Sequence, residues 1–433
     1  MPRKRQTGDG ALYKDKRRNL WKAVIDLDPW PDGRRHQLTV TSRTAEGARD
    51  KIKKKLDEIA EFGAPLDRTS TVADWANRWL ADACKPNLKP NALAAYESVT
   101  RSWIIPTIGT KIVAALKPSD VRMVSKAIIA KGRSSSTARK TYNVLSGMLE
   151  AARLDGLCAR NVAADVKPPP MAVSDRGALS TDQALAILRE AANDIDDTRW
   201  WVALLGGLRQ SERLGALLSS LDLDGGTLTV DWALEEVNSE HGCGEKVSGK
   251  WPCGLKRGAS CPSARLKIPD GFEYQRLHGR LCLIRPKSGK TRTVPMPPQL
   301  TEALRRYVAA TAHVPNPYGL VWRHSDGEPI LPGEDGQAWR DILHRAGIIT
   351  VEQTKEPKDR EDGTPDPPTS HWARHTTATV LMELGVDAKI IGEIVGHQSE
   401  KVTRQYQHVS SPAAVDAMSR LAGHFAAALT ELH

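Results

Sequence analysis

The sequence predicts a multidomain protein that is mainly α-helical and contains small β-sheets. Three observations support this fold class. The chain has 433 residues, enough for about three domains of ordinary size. Its hydrophobic residues alternate near the N-terminus, follow helical spacing in the middle and show a mixed pattern in the second half. The tripeptide Pro168–Pro170 predicts a stiff linker between the last two parts.

Residues 1–65 predict a small module made of a three-stranded sheet and a helix. Leu20–Leu27 and His36–Thr41 alternate as strands do, and Pro31-Asp32-Gly33 between them is typical of a turn. Thr44 is placed to cap a helix that continues to about Ala60. The module has few apolar residues, so we expect a small core.

Residues 66–166 predict an all-helical domain, and residues 167–174 predict the linker that follows it. Apolar residues recur at helical spacing in four segments, with Pro, Gly and Ser between them. These segments are Val72–Ala83, Asn91–Ile104, Pro118–Ala130 and Ser136–Leu154.

Residues 175–433 predict a mixed α/β domain that is rich in helix. An insert of about 238–280 and a charged, proline-rich stretch, Thr350–Thr369, interrupt the pattern. Strands are predicted at Gly226–Asp231 and within Leu281–Met296. Helices are predicted at Thr181–Ala192, Arg199–Ser219, Thr301–Ala312, Gln337–Ala346, His371–Glu383 and Lys389–Gly396, and a C-terminal helix follows Pro412.

Composition and charge narrow the class of function. The chain is 40% hydrophobic and 26% charged, which excludes a disordered tail, and no apolar run approaches the roughly 20 residues that span a bilayer. The N-terminus lacks the apolar stretch of a signal peptide, so we expect a cytoplasmic protein. The net charge is +10, but residues 1–170 carry an excess of 14 basic side chains and the rest a deficit of four. This asymmetry indicates nucleic-acid binding, with an ordinary solvated basic surface as the alternative.

Candidate catalytic residues lie in five places along the second half. Arg209 follows Gly206-Gly207, and Glu212 comes three residues later, where a carboxylate could hold an arginine in position. The segment 285–295 predicts a β-hairpin with Ser-Gly at its tip, and Lys287 would project from the strand just before that turn. Further along come His371 and Arg374 on one helix face, then His397, then Tyr406. Guanidinium and imidazole groups near a tyrosine suit the binding of an anion and the activation of a phenol.

In this order and spacing, the residues resemble the tyrosine recombinases, the phage-integrase family of site-specific recombinases. The resemblance covers the catalytic half, and the basic helical segment is similar to that family's SAM-like core-binding domain. Residues 1–65 are similar to the arm-type DNA-binding domain of longer integrases. The family relationship implies a DNA strand transferase that needs neither metal nor ATP, with Arg209, Lys287, His371, Arg374, His397 and Tyr406 as catalytic residues.

The resemblance also implies the role of each residue. Tyr406 would attack the scissile phosphate and form a covalent 3′-phosphotyrosine, while Arg209 and Arg374 would bind the phosphate oxygens. Lys287 would protonate the 5′-oxygen leaving group, and His371 would accept the tyrosine proton. The remaining roles are a hydrogen bond from His397 to a phosphate oxygen and the orientation of Arg209 or a neighbouring histidine by Glu212. His375 and His408 are expected to be structural.

The implied partners are double-stranded DNA attachment sites, with core and arm sequences, and three further copies of the chain in a tetramer on DNA. Excision (directionality) factors and host DNA-bending factors could join them in a bacterial cytoplasm, and no membrane is involved. The expected biological role is integration and excision of a phage or another mobile element. Phosphate contacts are expected from basic residues of the first 170, namely Arg17, Arg18, Lys22, Arg34, Arg35 and Lys140.

Two features leave alternatives open. His241, Cys243, Cys253 and Cys261 in the insert could bind a structural zinc ion, but they lack a Cys-x-x-Cys pair and could equally be unligated thiols on a glycine-rich loop. An apolar stripe from Val415 to Leu432 is expected to dock on a neighbouring protomer, with packing on its own domain as the alternative. The rival functions are a type IB-like topoisomerase and a non-enzymatic DNA-binding regulator on the same fold.

Overall fold

The computed structural model describes residues 10–27, 36–62, 69–170, 177–286, 289, 291–396 and 412–425. The chain divides into two compact units, Met1–Val173 and Ser174–His433. Among the described helices, none combines the length and the hydrophobicity that crossing a membrane requires. The predicted fold class is confirmed: the protein is multidomain, mainly helical, and carries small sheets.

The first unit begins with a three-stranded antiparallel sheet and a helix. The strands are β1 (Gly10–Asp15), β2 (Leu20–Leu27) and β3 (His36–Ser42), in that spatial order, followed by α1 (Ala45–Phe62). The Thr44 hydroxyl accepts the backbone N–H of Gly47 at 3.1 Å, which caps the helix as predicted. Only four apolar residues of this part are fully buried among those described, so its core is small: Ala23, Leu38, Ala48 and Ile52.

A separate hydrophobic core holds the helical remainder of the first unit. The Trp75 indole N–H donates to the carbonyl of Met148 at 2.9 Å, and the Tyr142 hydroxyl donates to the carbonyl of Ala163 at 2.9 Å. The second bond fastens the chain just before the linker to the longest helix of this part. The helices are α2 (Val72–Trp79), α3 (Lys85–Asn87), α4 (Pro90–Val99), α5 (Ile105–Ile108), α6 (Pro118–Ala130) and α7 (Ser135–Leu154), with π-helical turns at Leu80–Cys84 and Thr100–Ile104.

The second unit packs nine helices and three small sheets, within the described residues, around a core rich in tryptophan. Trp200 and Trp339 are fully buried, with ring centroids 5.2 Å apart. Its helices are α8 (Thr181–Ala192), α9 (Thr198–Leu205), α10 (Gln210–Leu214), α11 (Pro298–Ala310), α12 (Pro332–Arg345), α13 (Val351–Thr354), α14 (His371–Glu383), α15 (Ala388–Val395) and α16 (Pro412–His424).

The strands of the second unit form sheets with the orders β6-β10-β9, β11-β5-β4 and β7-β8. The insert, residues 238–280, leaves the first of these sheets after β6 and returns to it through β9 and β10. The strands are β4 (Leu221–Asp222), β5 (Thr227–Val230), β6 (Ala233–Glu236), β7 (Ser239–Glu240), β8 (Arg265–Leu266), β9 (Tyr274–Arg276), β10 (Leu281–Ile284) and β11 (Arg292–Pro295).

Three predicted elements are wrong. The single helix Arg199–Ser219 is broken into α9 and α10, because Gly207 adopts a left-handed φ of 60° between them. The described strands on either side of Lys287 do not pair as a hairpin: β10 pairs with β6 and β9, whereas β11 pairs with β5, at the edge of a different sheet. The helix expected at Gln337 begins earlier, at Pro332, because a proline is well suited to the first turn of a helix.

The C-terminal helix packs on its own unit. Met418, Leu421 and Phe425 are at most 1% exposed and belong to the same hydrophobic core as α9, α14 and α15. The favoured expectation, that this stripe docks on a neighbouring protomer, is therefore wrong for residues 412–425. The apolar residues after Phe425 lie outside the described residues.

Candidate active site

The break between α9 and α10 sets the position of Arg209. A side chain at Gly207 would place its Cβ 2.9 Å from Cγ1 of Val395, so the chain passes close to α15 here. Arg209 then precedes α10, and its backbone N–H donates to Oε2 of Glu212 at 3.0 Å. The Gly-Gly turn therefore supplies both the close approach and the entry into the next helix.

Glu212 is the buried anion that organises this site. Its side chain is 1% exposed and bridges two arginines: Oε1 accepts Arg209 at 2.7 Å and Arg292 at 3.0 Å, and Oε2 accepts Arg292 at 2.7 Å. Burial raises the pKa of Glu212, but the hydrogen bonds and charges of Arg292 and Arg209 outweigh it and lower that pKa to about 2. The carboxylate therefore stays ionised at neutral pH and holds both guanidinium groups in place.

The same two arginines hold the carboxyl end of α15. Arg209 donates to the carbonyl of Gly396 at 3.0 Å, and Arg292 donates to the carbonyl of Ile394 at 3.1 Å. The last carbonyls of a helix have no partner within it, so cationic donors suit this place. Gly396 takes a left-handed φ of 67°, and a Cβ there would lie 3.0 Å from the Arg292 guanidinium. Glycine is needed at this turn for both reasons.

Arg374 lies beneath this arrangement and is 1% exposed. It donates through one terminal nitrogen to the carbonyl of Gly207 at 2.9 Å. Its Nε and its other terminal nitrogen have no hydrogen-bond partner in the described part of the chain. Burial lowers the pKa of Arg374 to about 9, and the guanidinium groups of Arg209 and Arg292 act in the same direction. A buried cation in this state is suited to an incoming anion.

His371 and His375 lie one turn apart on α14, with ring centroids 4.6 Å apart and the rings nearly perpendicular. His371 is exposed at the first position of the helix, whereas Arg374 is buried three residues later. A histidine at the exposed start of a helix is accessible to a substrate that approaches Arg374. His375 is half-buried, and its structural role stays a prediction.

Three predicted catalytic residues lie outside the described residues: Lys287, His397 and Tyr406. The described part therefore brings together Arg209, Glu212 and Arg374. Arg292 on β11 joins this group through Glu212, and the sequence alone does not single it out. The signal that the sequence offers for Arg292 is its place on a predicted strand, five residues after Lys287.

The predicted DNA contacts that the structure describes differ in exposure. Arg17 and Arg18 are exposed in the turn after β1, where Asp15 accepts their backbone N–H groups at 3.0 and 3.3 Å. Lys22 is partly buried and lies 6.0 Å from the ring centroid of Tyr13. Lys140 is exposed on α7, and Arg34 and Arg35 lie outside the described residues.

The four predicted metal ligands of the insert come together in space. The ligand atoms of His241, Cys243, Cys253 and Cys261 all lie within 4.8 Å of one another. Their sequence spacing is irregular, so the clustering follows from the fold of the insert and not from a local motif. The cluster belongs to a part of the unit distinct from the arginines.

Comparison with known proteins identifies the family. Residues 264–412 match the model of the phage integrase family, and residues 72–168 match the model of the phage integrase central domain. The match to the central domain precedes the match to the family model, and together they span more than half of the chain. The chain belongs to the phage integrase family of tyrosine recombinases.

Relatives of this recombinase span nearly its whole length. It is 24% identical over 407 residues to an integrase of Saccharopolyspora erythraea, covering 86% of this chain and 89% of the relative. It is 22% identical to a XerC-like tyrosine recombinase of Caldanaerobacter subterraneus, covering 94% of this chain and 97% of the relative. The protein is thus a DNA recombinase by class. These relatives favour neither of the two rival functions, a type IB-like topoisomerase and a non-enzymatic DNA-binding regulator.

Solved structures of integrases share its fold. The Tn1549 transposon integrase in complex with transposon right-end DNA matches with a TM-score of 0.56 at 19% identity, covering 81% of this recombinase and 99% of that chain. The lambda integrase tetramer bound to a Holliday junction matches with a TM-score of 0.50 at 15% identity, covering 92% and 98%.

Proposed function

We propose that this recombinase cuts and rejoins duplex DNA through a covalent 3′-phosphotyrosine intermediate, and that it integrates and excises a mobile element. The observation that carries this proposal is the state of Arg374. A buried guanidinium with two unsatisfied nitrogens among the described residues, next to Arg209, is suited to bind the non-bridging oxygens of a phosphodiester. One turn holds both arginines: Arg374 donates to the carbonyl of Gly207, and Arg209 follows Gly207 in the chain by two residues.

In the proposed reaction, the phenol oxygen of Tyr406 attacks the scissile phosphorus and the bond to the 5′-oxygen breaks. His371 accepts the phenol proton, and Lys287 gives a proton to the departing 5′-oxygen. Arg209 and Arg374 stabilise the added negative charge of the transition state, with His397 donating a further hydrogen bond. A 5′-hydroxyl of the partner duplex then attacks the phosphotyrosine and releases the tyrosine.

The proposed steps conserve the number of phosphodiester bonds, because one phosphate ester replaces another at each step. No nucleotide is therefore needed to drive ligation, and the arginines supply the charge stabilisation that a divalent metal supplies in other phosphoryl transfers. A zinc ion at His241, Cys243, Cys253 and Cys261 of the insert would have a structural role and would take no part in these steps.

We further propose that core and arm sites on double-stranded DNA are bound by the first 170 residues, whose basic excess makes the affinity salt-dependent. Four protomers would assemble on DNA in a bacterial cytoplasm, as the tetramer of the related lambda integrase suggests. Excision and DNA-bending factors would act through this assembly. The proposed domains are residues 1–65 for arm sites, 66–166 for core sites and 175–433 for catalysis.

The test is covalent trapping on a nicked suicide duplex taken from the DNA that flanks the coding region. The wild-type protein is expected to form an adduct that survives denaturing electrophoresis, and Tyr406→Phe is expected to form none. Tyr274→Phe is the matched control, because Tyr274 is an exposed tyrosine of the same unit and its variant should react normally. An adduct formed by Tyr406→Phe would refute the assignment of the nucleophile.

The wild-type protein also has an outcome that contradicts the proposal. If it binds this duplex tightly but never forms an adduct, strand transfer is not its activity and the regulator is favoured. If it forms the adduct but only relaxes supercoils, without joining two duplexes, the topoisomerase is favoured.

A further inference from the structure

The insert has almost no hydrophobic core of its own. Only three of the 43 residues from 238 to 280 are buried: His241, Cys261 and Pro269. Two of these three carry side chains that bind metals. A segment of this size with so few buried apolar groups needs a metal ion or a covalent cross-link, in place of a hydrophobic core, to keep one structure.

The donor atoms have the spacing of a tetrahedral metal site. Nδ1 of His241 lies 3.4 Å from Sγ of Cys253 and 3.9 Å from Sγ of Cys243, and all four donors fit within 4.8 Å. Zinc bonds to sulfur and to nitrogen predict tetrahedron edges of about 3.6 Å between nitrogen and sulfur and about 3.8 Å between sulfurs. The cluster is thus close to the size that one zinc ion requires.

Backbone groups support the sulfurs as they do in a metal site. The N–H of Leu255 donates to Sγ of Cys253, and the N–H groups of Ser263 and Gly242 donate to Sγ of Cys261. In two of these bonds the donor lies two residues after the cysteine. Such hydrogen bonds orient thiolate ligands and stabilise their negative charge.

The histidine is also fixed in place. Its ring stacks on Trp251, with centroids 4.1 Å apart and planes 16° apart, and Nδ1 is the ring nitrogen near the two sulfurs. Two glycines let the ligand-bearing segments touch. A Cβ on Gly242 would lie 2.1 Å from the carbonyl oxygen of Ser263, and one on Gly258 would lie 2.7 Å from that of Ser239.

We propose that His241, Cys243, Cys253 and Cys261 bind one zinc ion that holds the insert in its fold. Three thiolates and one imidazole form a soft donor set that favours zinc over magnesium or calcium. All four positions of a tetrahedron are filled by the protein, so the ion has no open position for a substrate and its role is structural. This site goes beyond the proposed strand transfer, because neither reaction step uses it.

The first experiment measures zinc in the full-length protein, purified in reducing buffer without chelator, by inductively coupled plasma mass spectrometry. One zinc per chain is expected. Cys243→Ser and Cys261→Ser are expected to lose most of it, while Cys84→Ser should keep it, since Cys84 is a buried thiol of the helical part. Replacement by cobalt should give the visible spectrum of a tetrahedral site with thiolate-to-cobalt charge transfer.

Several results would overturn the proposal. These are a wild-type protein that holds no zinc after reconstitution, serine variants that keep it, or a disulfide among the three cysteines under reducing conditions. Hydrogen exchange gives an independent readout of the structural role. Removal of the zinc should speed exchange in residues 238–267 and leave α7 unchanged, and equal exchange with and without the metal would exclude that role.

None of these measurements depends on DNA cleavage. A protein that fails the trapping experiment can still contain the zinc site, and a protein without zinc can still form the covalent adduct. The two proposals therefore stand or fall separately.

Discussion

Replacing Glu212 by glutamine should destabilise the second unit by about 3 kcal/mol at neutral pH. The magnitude follows from the pKa of Glu212, which folding lowers from 4.5 to about 2. A difference of that size corresponds to roughly 3 kcal/mol of folding free energy. Glutamine keeps the size of the side chain but removes the charge that compensates Arg209 and Arg292, and it leaves both guanidinium groups partly buried without an anion.

The assay is differential scanning calorimetry of the full chain, following the transition of the second unit. A loss of about 3 kcal/mol corresponds to a shift of roughly 6–12 °C for a unit of this size. Glu302→Gln is the matched control, because Glu302 also pairs with two arginines, Arg305 and Arg306, but at the surface. Exposed pairs contribute at most about 1 kcal/mol, so this variant should shift the transition only slightly.

The pH dependence gives a second check with a definite sign. Because folding lowers the pKa of Glu212, the carboxylate stabilises the folded state fully above about pH 4.5 and loses this contribution as the pH falls toward 2. The difference between wild type and Glu212→Gln should therefore shrink below pH 4.5. Equal shifts for Glu212→Gln and Glu302→Gln at neutral pH would refute the reasoning.

Three further changes test neighbouring parts of the structure. Gly207→Ala should cost about 1–3 kcal/mol in urea unfolding, because alanine is strained at a φ of 60° and its Cβ would meet Val395, and unchanged stability would contradict this. Arg374→Lys should reduce formation of the covalent adduct at least tenfold with little change in DNA binding. The single ammonium group of lysine cannot both donate to Gly207 and bind a phosphate in the two-pronged way of a guanidinium, and full activity would contradict this. Trp251→Ala should speed the release of zinc to a competing chelator, because it removes the ring stacked on His241, and an unchanged rate would contradict that contact's role.

Order and spacing along the sequence predict the residues that we propose act on one phosphate, and two of them, Arg209 and Arg374, lie close together in the described structure. The sequence could not single out Arg292. Arg285, seven residues earlier, has the same type and the same basic surroundings, yet it pairs with Glu273 at the surface and lies over the ring of Trp232. Only the pairing of β11 with β5 turns Arg292 toward Glu212, and strand pairing over a long loop is not encoded in local periodicity.

The fold errors have related physical causes. The segment Leu281–Met296 has the composition of strands, but composition does not say which neighbours its strands will bond to, and they join two different sheets. The apolar stripe of α16 shows that a face will be buried but not which surface buries it. The four proposed zinc ligands of the insert do not form a compact sequence motif. A long loop and close contacts at glycines bring them together, and neither can be read from residue spacing.

Arg209 belongs both to the proposed phosphate site and, together with Arg292, to the carboxyl end of α15. The carbonyls of Ile394 and Gly396 accept from these arginines, and the chain that leaves Gly396 leads to His397 and Tyr406. In the proposed reaction, a phosphate that binds Arg209 would compete with the Gly396 carbonyl for this guanidinium. Thermodynamic linkage makes such an effect reciprocal: any change that strengthens the bond between Arg209 and Gly396 must weaken binding of phosphate at the proposed site by the same factor.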